Sequence, residues 1–142
     1  GAKVFKAPVK EIGWYDVSLT RIGTVDPLFS HLPKTFSVFQ WHEDTFEMPH
    51  GATLIATSSL VPNQAFRYGD NAYGLQFHIE VTAEMIRKWI ETYEEEIEGP
   101  HPPLLSKLKI LSDTELKIEA YKKRGKKFLK NFLKDTSTGG MR

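Results

Sequence analysis

The stretch YGLQFHIEVT, Tyr73 to Thr82, sets an imidazole and a carboxylate two residues apart inside an apolar run. On an extended strand successive side chains alternate in direction, so Gln76, His78 and Glu80 share one face while Leu75, Phe77 and Ile79 take the other. A histidine that accepts a proton from a nucleophile must be held in one tautomer, and a carboxylate on the same face can receive the ring N–H that fixes it. His78 with Glu80 is therefore a candidate base with its orienting acid. Taken alone, the same H-x-E spacing also describes a structural histidine beside a salt-bridged glutamate, and spacing does not choose between the two. H-x-E opens the zinc deaminase signature as well, but that chemistry needs a following P-C-x-x-C. The chain has no cysteine, so the deaminase reading fails, and so does any cysteine nucleophile within these residues.

A second polar cluster, FQWHEDTF, places Gln40, Trp41, His42, Glu43 and Asp44 at the end of an apolar strand, where polar groups emerge into a loop. His42, Glu43 and Asp44 could join His78 and Glu80 in a carboxylate–imidazole metal site. A solvated turn explains the same charges, and no H-x-x-x-H spacing supports the metal. Towards the carboxy end, KIEAYKKRGKKFLK interleaves lysines with aromatics. Phosphate contacts to a nucleic acid are one reading. A helix with an apolar seam and a solvated basic face is the favoured one, so no nucleic-acid partner is expected.

The elements that must position these residues fall into two parts. EIGWYDVSL, FSVFQWH, ATLIATS, QAFRYG and AYGLQFH read as short strands, separated by MPHGA, LVPNQ and YGDNAYG at hairpin-like spacing. After Thr82, a candidate N-cap, Met85, Ile86, Trp89, Ile90, Tyr93 and Ile97 recur at helical spacing among glutamates. EGPHPPLL should end that helix, through Gly99 and the prolines. A last helix is expected over roughly 113–134, with Leu116, Ala120, Tyr121, Phe128, Leu129, Phe132 and Leu133 as its apolar face and Gly125 as a point of bending. DTSTGGMR reads as a frayed tail.

With 142 residues, 40% of them hydrophobic and 12% aromatic, the chain suits one packed domain. Nineteen Lys plus Arg against eighteen Asp plus Glu leave a net charge of +1, which gives no bulk field to attract a polyanion or an anionic membrane. No apolar run approaches the roughly 20 residues of a membrane helix, and GAKVFKAPVKE lacks a signal-peptide core, so a cytoplasmic location without membrane contact is the default. Nothing in the residues calls for a cofactor.

Taken together, EIGW (11–14), DPLF (26–29), VFQWHEDTF (38–46), NQAFRYG (63–69) and YGLQFHIEVT resemble, in order and spacing across roughly residues 1–98, the class I glutamine amidotransferase domains, and within them the stand-alone, GMP-synthase-like branch. The resemblance implies an α/β, flavodoxin-like fold and a Cys-His-Glu triad. In that triad His78 matches the general base and Glu80 its orienting acid, with Gln40, Trp41 and His42 near the substrate. It implies glutamine as substrate and a synthetase partner that accepts ammonia; related members cleave γ-glutamyl peptides with the same triad. Ile79 stands where many members have Pro, a change that some of this branch share. The family's nucleophile sits in a Gly-rich elbow amino-terminal to these motifs, so the chain reads as the carboxy-terminal part of a domain. Residues 1–98 would belong to that part, and residues 99–142 would be a Pro-rich connection and basic helix of the same domain. Cut sheet edges would then favour association into an oligomer. A noncatalytic binding or regulatory module with the same fold is the competing expectation, prompted by the missing cysteine.

Overall fold

The computed structural model describes residues 1–97 and 103–138, with backbone alone for 103–105 and 135–138. Five strands form one sheet: β1 (Val4–Leu19), β2 (Thr35–Phe46), β3 (Ala52–Thr57), β4 (Ala65–Tyr68) and β5 (Ala72–Leu75). Their order is β2-β1-β3-β4-β5, and every pairing is antiparallel. β1 and β2 make the longest ladder, from Val4 opposite Phe46 to Ser18 opposite Thr35. The register shifts between Lys6 and Glu11, and beyond the shift Glu11 stands directly opposite His42.

Alternation along β1 and β2 sends their apolar residues to two faces. Val17, Leu19, Phe36 and Val38 enter one core with Leu28, Phe29, Ile55 and Phe77. Trp14 and Phe39 enter a second core, which the helices complete. The loop between β1 and β2 is tied down by Asp26, whose buried carboxylate accepts from the Leu28 N–H (3.0 Å), the Arg67 guanidinium (3.0 Å) and the Tyr73 hydroxyl (3.2 Å). The DPLF and NQAFRYG stretches thus meet through a charge-assisted bond.

Helix α1 (Ala83–Thr92) begins where the sequence places its cap: the Thr82 side chain accepts the Met85 N–H. Ile86 and Ile90 are buried, while Met85 and Tyr93 are largely exposed. A 3-10 turn, Glu94–Glu96, follows and Ile97 is buried. Gly99, Pro100 and Pro102 lie outside the described residues, as does the boundary expected at 98–99.

Helix α2 (Pro103–Thr138) corrects the expectation of a helix starting near 113. Pro103 is its first residue, a position where proline's missing N–H costs nothing, so the PPLL stretch opens a helix instead of only closing one. The seam also differs from the expected apolar face. Ile110, Thr114, Ile118, Tyr121, Gly125 and Phe128 are buried at spacings of three and four, whereas Leu116 (79%), Leu129 (44%) and Leu133 (67%) are exposed. The stripe that packs against Trp14 and Val81 runs through these buried residues, and Leu116, Leu129 and Leu133 fall off it. The tail expected from Asp135 is helical in backbone through Thr138, and the last four residues lie outside the described ones. No helix among the described residues is long and apolar enough to cross a membrane.

Candidate active site

The His78–Glu80 stretch is not a continuous strand, contrary to the sequence expectation: β5 stops at Leu75. Beyond it the chain changes partners. The Gln76 N–H donates to the Gln64 carbonyl at 2.9 Å, just before β4, and the His78 N–H donates to the Phe39 carbonyl at 2.9 Å, on β2. Residues 76–78 therefore link the two ends of the strand order. No single neighbour offers a ladder long enough to extend β5. The alternation of faces survives, since Phe77 (4%) and Val81 (1%) are buried while His78 and Glu80 reach solvent.

His78 Nδ1 lies 2.8 Å from Glu80 Oε1, and Glu80 Oε2 accepts the Ile79 N–H at 2.8 Å. One carboxylate thus holds both the ring and the backbone beside it. Burial alone would raise the Glu80 carboxyl, but the bonds from His78 and from backbone N–H groups outweigh it and hold it below the usual carboxylate range. A carboxylate accepting at Nδ1 favours the tautomer with the proton on Nδ1 and Nε2 bare. The His78 ring meets the Trp89 ring of α1 edge-on, with centroids 5.1 Å apart. Sequence reading assigned Trp89 only to a helix face; its i+7 spacing from Thr82 in a capped helix was the available signal.

The QWHED cluster sits within β2, which runs on to Phe46, and not in a loop at the strand end. Pairing with β1 extends the strand through these polar residues. Gln40 is fully buried, and His42 has 8% of its side chain exposed. His42 Nε2 lies 2.9 Å from Glu11 Oε2, and Nδ1 lies 3.0 Å from the Asp44 carbonyl. The carbonyl can only accept, so Nδ1 is placed to donate to it, while Nε2 faces the Glu11 carboxylate. Gln64 Nε2 donates to the same Glu11 oxygen (3.2 Å) and to the Val61 carbonyl (3.0 Å), while Gln64 Oε1 accepts from Gln40 Nε2 at 2.7 Å. These acceptors fix the orientation of the Gln64 amide. Glu11 and Gln64 escaped sequence reading as site residues. Only the cross-strand register brings Glu11 to His42.

Trp41 is the partly exposed member of the cluster. Its Nε1 donates to Glu96 at 2.9 Å, and its ring packs edge-on against Trp89, with centroids 5.8 Å apart. The structure thus gathers Trp41, Trp89 and His78 into one aromatic wall, with Gln40 and His42 behind it. The metal ligand set considered above is not assembled: Glu43 and Asp44 pair with Lys6, at 2.9 and 3.3 Å. Among the described residues no group of three His, Asp or Glu is arranged to hold a metal ion.

The antiparallel sheet, flanked by helices, thus carries a histidine–carboxylate pair just past a strand end. Residues 1–91 match the family model for class-I glutamine amidotransferases, and the chain belongs to that family. Similar proteins include a glutamine amidotransferase-like protein, YfeJ, of Salmonella typhimurium, 37% identical over 97 residues, covering 68% of this chain and 41% of that one. The glutamine-hydrolyzing GMP synthase of Thermosipho africanus is 40% identical over 84 residues, covering 58% of this chain and 16% of its own length. Among solved structures, a glutamine amidotransferase from Thermotoga maritima superposes with a TM-score of 0.78 at 38% identity, over 93% of this chain and 55% of that one. One from Methylobacillus flagellatus gives 0.83 at 29% identity, over 95% and 56%. The chain thus spans about half the length of the relatives that match most of it.

Proposed function

We propose that this chain carries the base and orienting acid of a glutamine amidotransferase that hydrolyses the glutamine side-chain amide. The observation that supports it is the His78 Nδ1–Glu80 contact of 2.8 Å, which leaves Nε2 without a hydrogen bond among the described residues. The nucleophile would be a cysteine outside this sequence, which contains none. Its thiolate attacks the γ-carboxamide carbon, and His78, as imidazolium, protonates the departing ammonia. The γ-glutamyl thioester then takes up water: its proton returns to Nε2, its hydroxyl bonds to the acyl carbon, and the sulfur leaves as thiolate, giving glutamate and restoring the thiolate–imidazolium pair. Glu80 holds the ring through both steps. Gln40 and His42, being buried and engaged, act by fixing the β2 backbone that receives the His78 N–H; Trp41 and Trp89 form the apolar wall beside the ring. Ammonia would pass to a synthetase partner, as the glutamine-hydrolyzing GMP synthases among the relatives suggest.

The test is ammonia release from glutamine by the intact protein bearing a cysteine segment. His78→Ala should lower the rate by about 10³-fold or more, with unfolding unchanged. Retained turnover would sink the reading. A noncatalytic module with this fold is the second reading, favoured by the absence of cysteine; it predicts no ammonia from the intact protein either.

A further inference from the structure

We infer that α2, which lies beyond the residues matched by the family model, sets the position of the His78–Glu80 pair, with Tyr121 and Gly125 as positioning residues. The inference rests on the amidotransferase reading of the pair. Residues 79–81 have no strand ladder, so their backbone groups must be held some other way. The Val81 N–H donates to the Tyr121 hydroxyl at 3.2 Å. The Ile79 carbonyl lies where a Gly125 side chain would be: a Cβ there would sit 2.3 Å from the oxygen. Glu80 is thus suspended between two peptide groups, each set by an α2 residue, one helical turn apart.

The helix is itself pinned at this level. Tyr121 is 1% exposed, and burial raises its hydroxyl well above the usual tyrosine range, so it stays protonated. Its ring lies edge-on to Trp14, centroids 5.1 Å apart, and the Trp14 Nε1 donates to Thr114 Oγ1 at 2.9 Å, two turns back on α2. Arg124 donates to the Ser37 carbonyl at 3.0 Å, fastening α2 to the strand that receives the His78 N–H. A glycine in a helix interior carries a stability cost relative to alanine. At Gly125 the close approach to Ile79 is what that cost supports.

The test uses Tyr121→Phe and Gly125→Ala, with Lys109→Ala as a control that removes an exposed ion pair to Asp113 on the same helix without touching residues 79–81 or the contacts that pin it. Two readouts are followed: the His78 imidazole nitrogen shifts in this chain, and kcat and KM for glutamine in the intact protein. In Gly125→Ala the Ile79 carbonyl must retreat by roughly 1 Å, a misplacement that costs on the order of 10²-fold in kcat. Tyr121→Phe, which keeps the ring packing, should lower kcat about tenfold with KM nearly unchanged. Both should weaken the Nδ1–H signal of His78, and the control should leave signal and kcat unaltered. If Gly125→Ala fails to fold, Tyr121→Phe alone decides. An undisturbed His78 signal in the folded variants, or an equal disturbance in Lys109→Ala, overturns the inference. Turnover retained in His78→Ala would instead remove the functional reading, while the nitrogen shifts would still judge the positioning.

Discussion

Gln64→Leu is the perturbation that most sharply probes the polar layer beneath the site. Gln64 is fully buried and connects Glu11, Gln40 and the Val61 carbonyl, while its own carbonyl receives the Gln76 N–H that leads into the His78 stretch. The leucine would delete the 2.7 Å bond from Gln40, whose Oε1 already lacks a partner, leaving that buried amide wholly unpaired. An orphaned buried amide costs about 1–3 kcal/mol, and a buried carboxylate losing one donor about as much again. Apolar burial of the leucine offsets part, for a net loss of roughly 2–4 kcal/mol. In urea, with a slope of about 1–3 kcal/mol per molar, the midpoint should fall by on the order of 1–2 M. Tryptophan fluorescence can follow the transition. A second arm is more demanding: Gln40→Leu combined with Gln64→Leu should be no less stable than Gln64→Leu alone, because both partners of the bond are then apolar. Additive losses in the double variant, or a midpoint that does not move in the single one, would refute the assignment of the amide network.

Two further predictions follow from the same geometry. The Glu80 carboxyl is held below its unfolded value, so the stability it contributes is fully present above the unfolded pKa. It is lost as pH falls through the lower folded value, and the acid limb of a pH–stability curve below about pH 4.5 should flatten in Glu80→Gln. Thr82→Ala removes the acceptor for the Met85 N–H and should cost about 1 kcal/mol, seen as a lower unfolding midpoint, while loosening the helix that carries Trp89 to His78.

The five strands were legible because their apolar residues alternate and their turns are punctuated by Gly, Pro, Asn and Asp. The start of helix α1 was legible from its cap and its spacing; its end was not, since the helix stops at Thr92 and a 3-10 turn carries the chain to Ile97 in place of the continuous helix expected up to Gly99. What escaped depends on contacts distant in sequence. The end of β5 at Leu75 follows from a change of partner, from the Gln64 carbonyl to the Phe39 carbonyl, which no local pattern encodes. The meeting of Glu11 with His42 depends on a register shift inside β1, and Glu11 by itself looked like any strand-end acid. The α2 seam includes Thr114 and Gly125, which a hydrophobic count passes over, and it excludes Leu116, which such a count selects. The pairing of His78 with Glu80, by contrast, was readable from spacing. Two residues of extended chain put them on one side whether or not a ladder forms.

The most direct measurement is the tautomer of His78, read from its two imidazole nitrogen shifts near neutral pH. If Glu80 orients the ring as a base, Nδ1 carries the proton and Nε2 is bare, and Glu80→Ala weakens that preference. A proton resident on Nε2, or a tautomer indifferent to Glu80, would contradict the account.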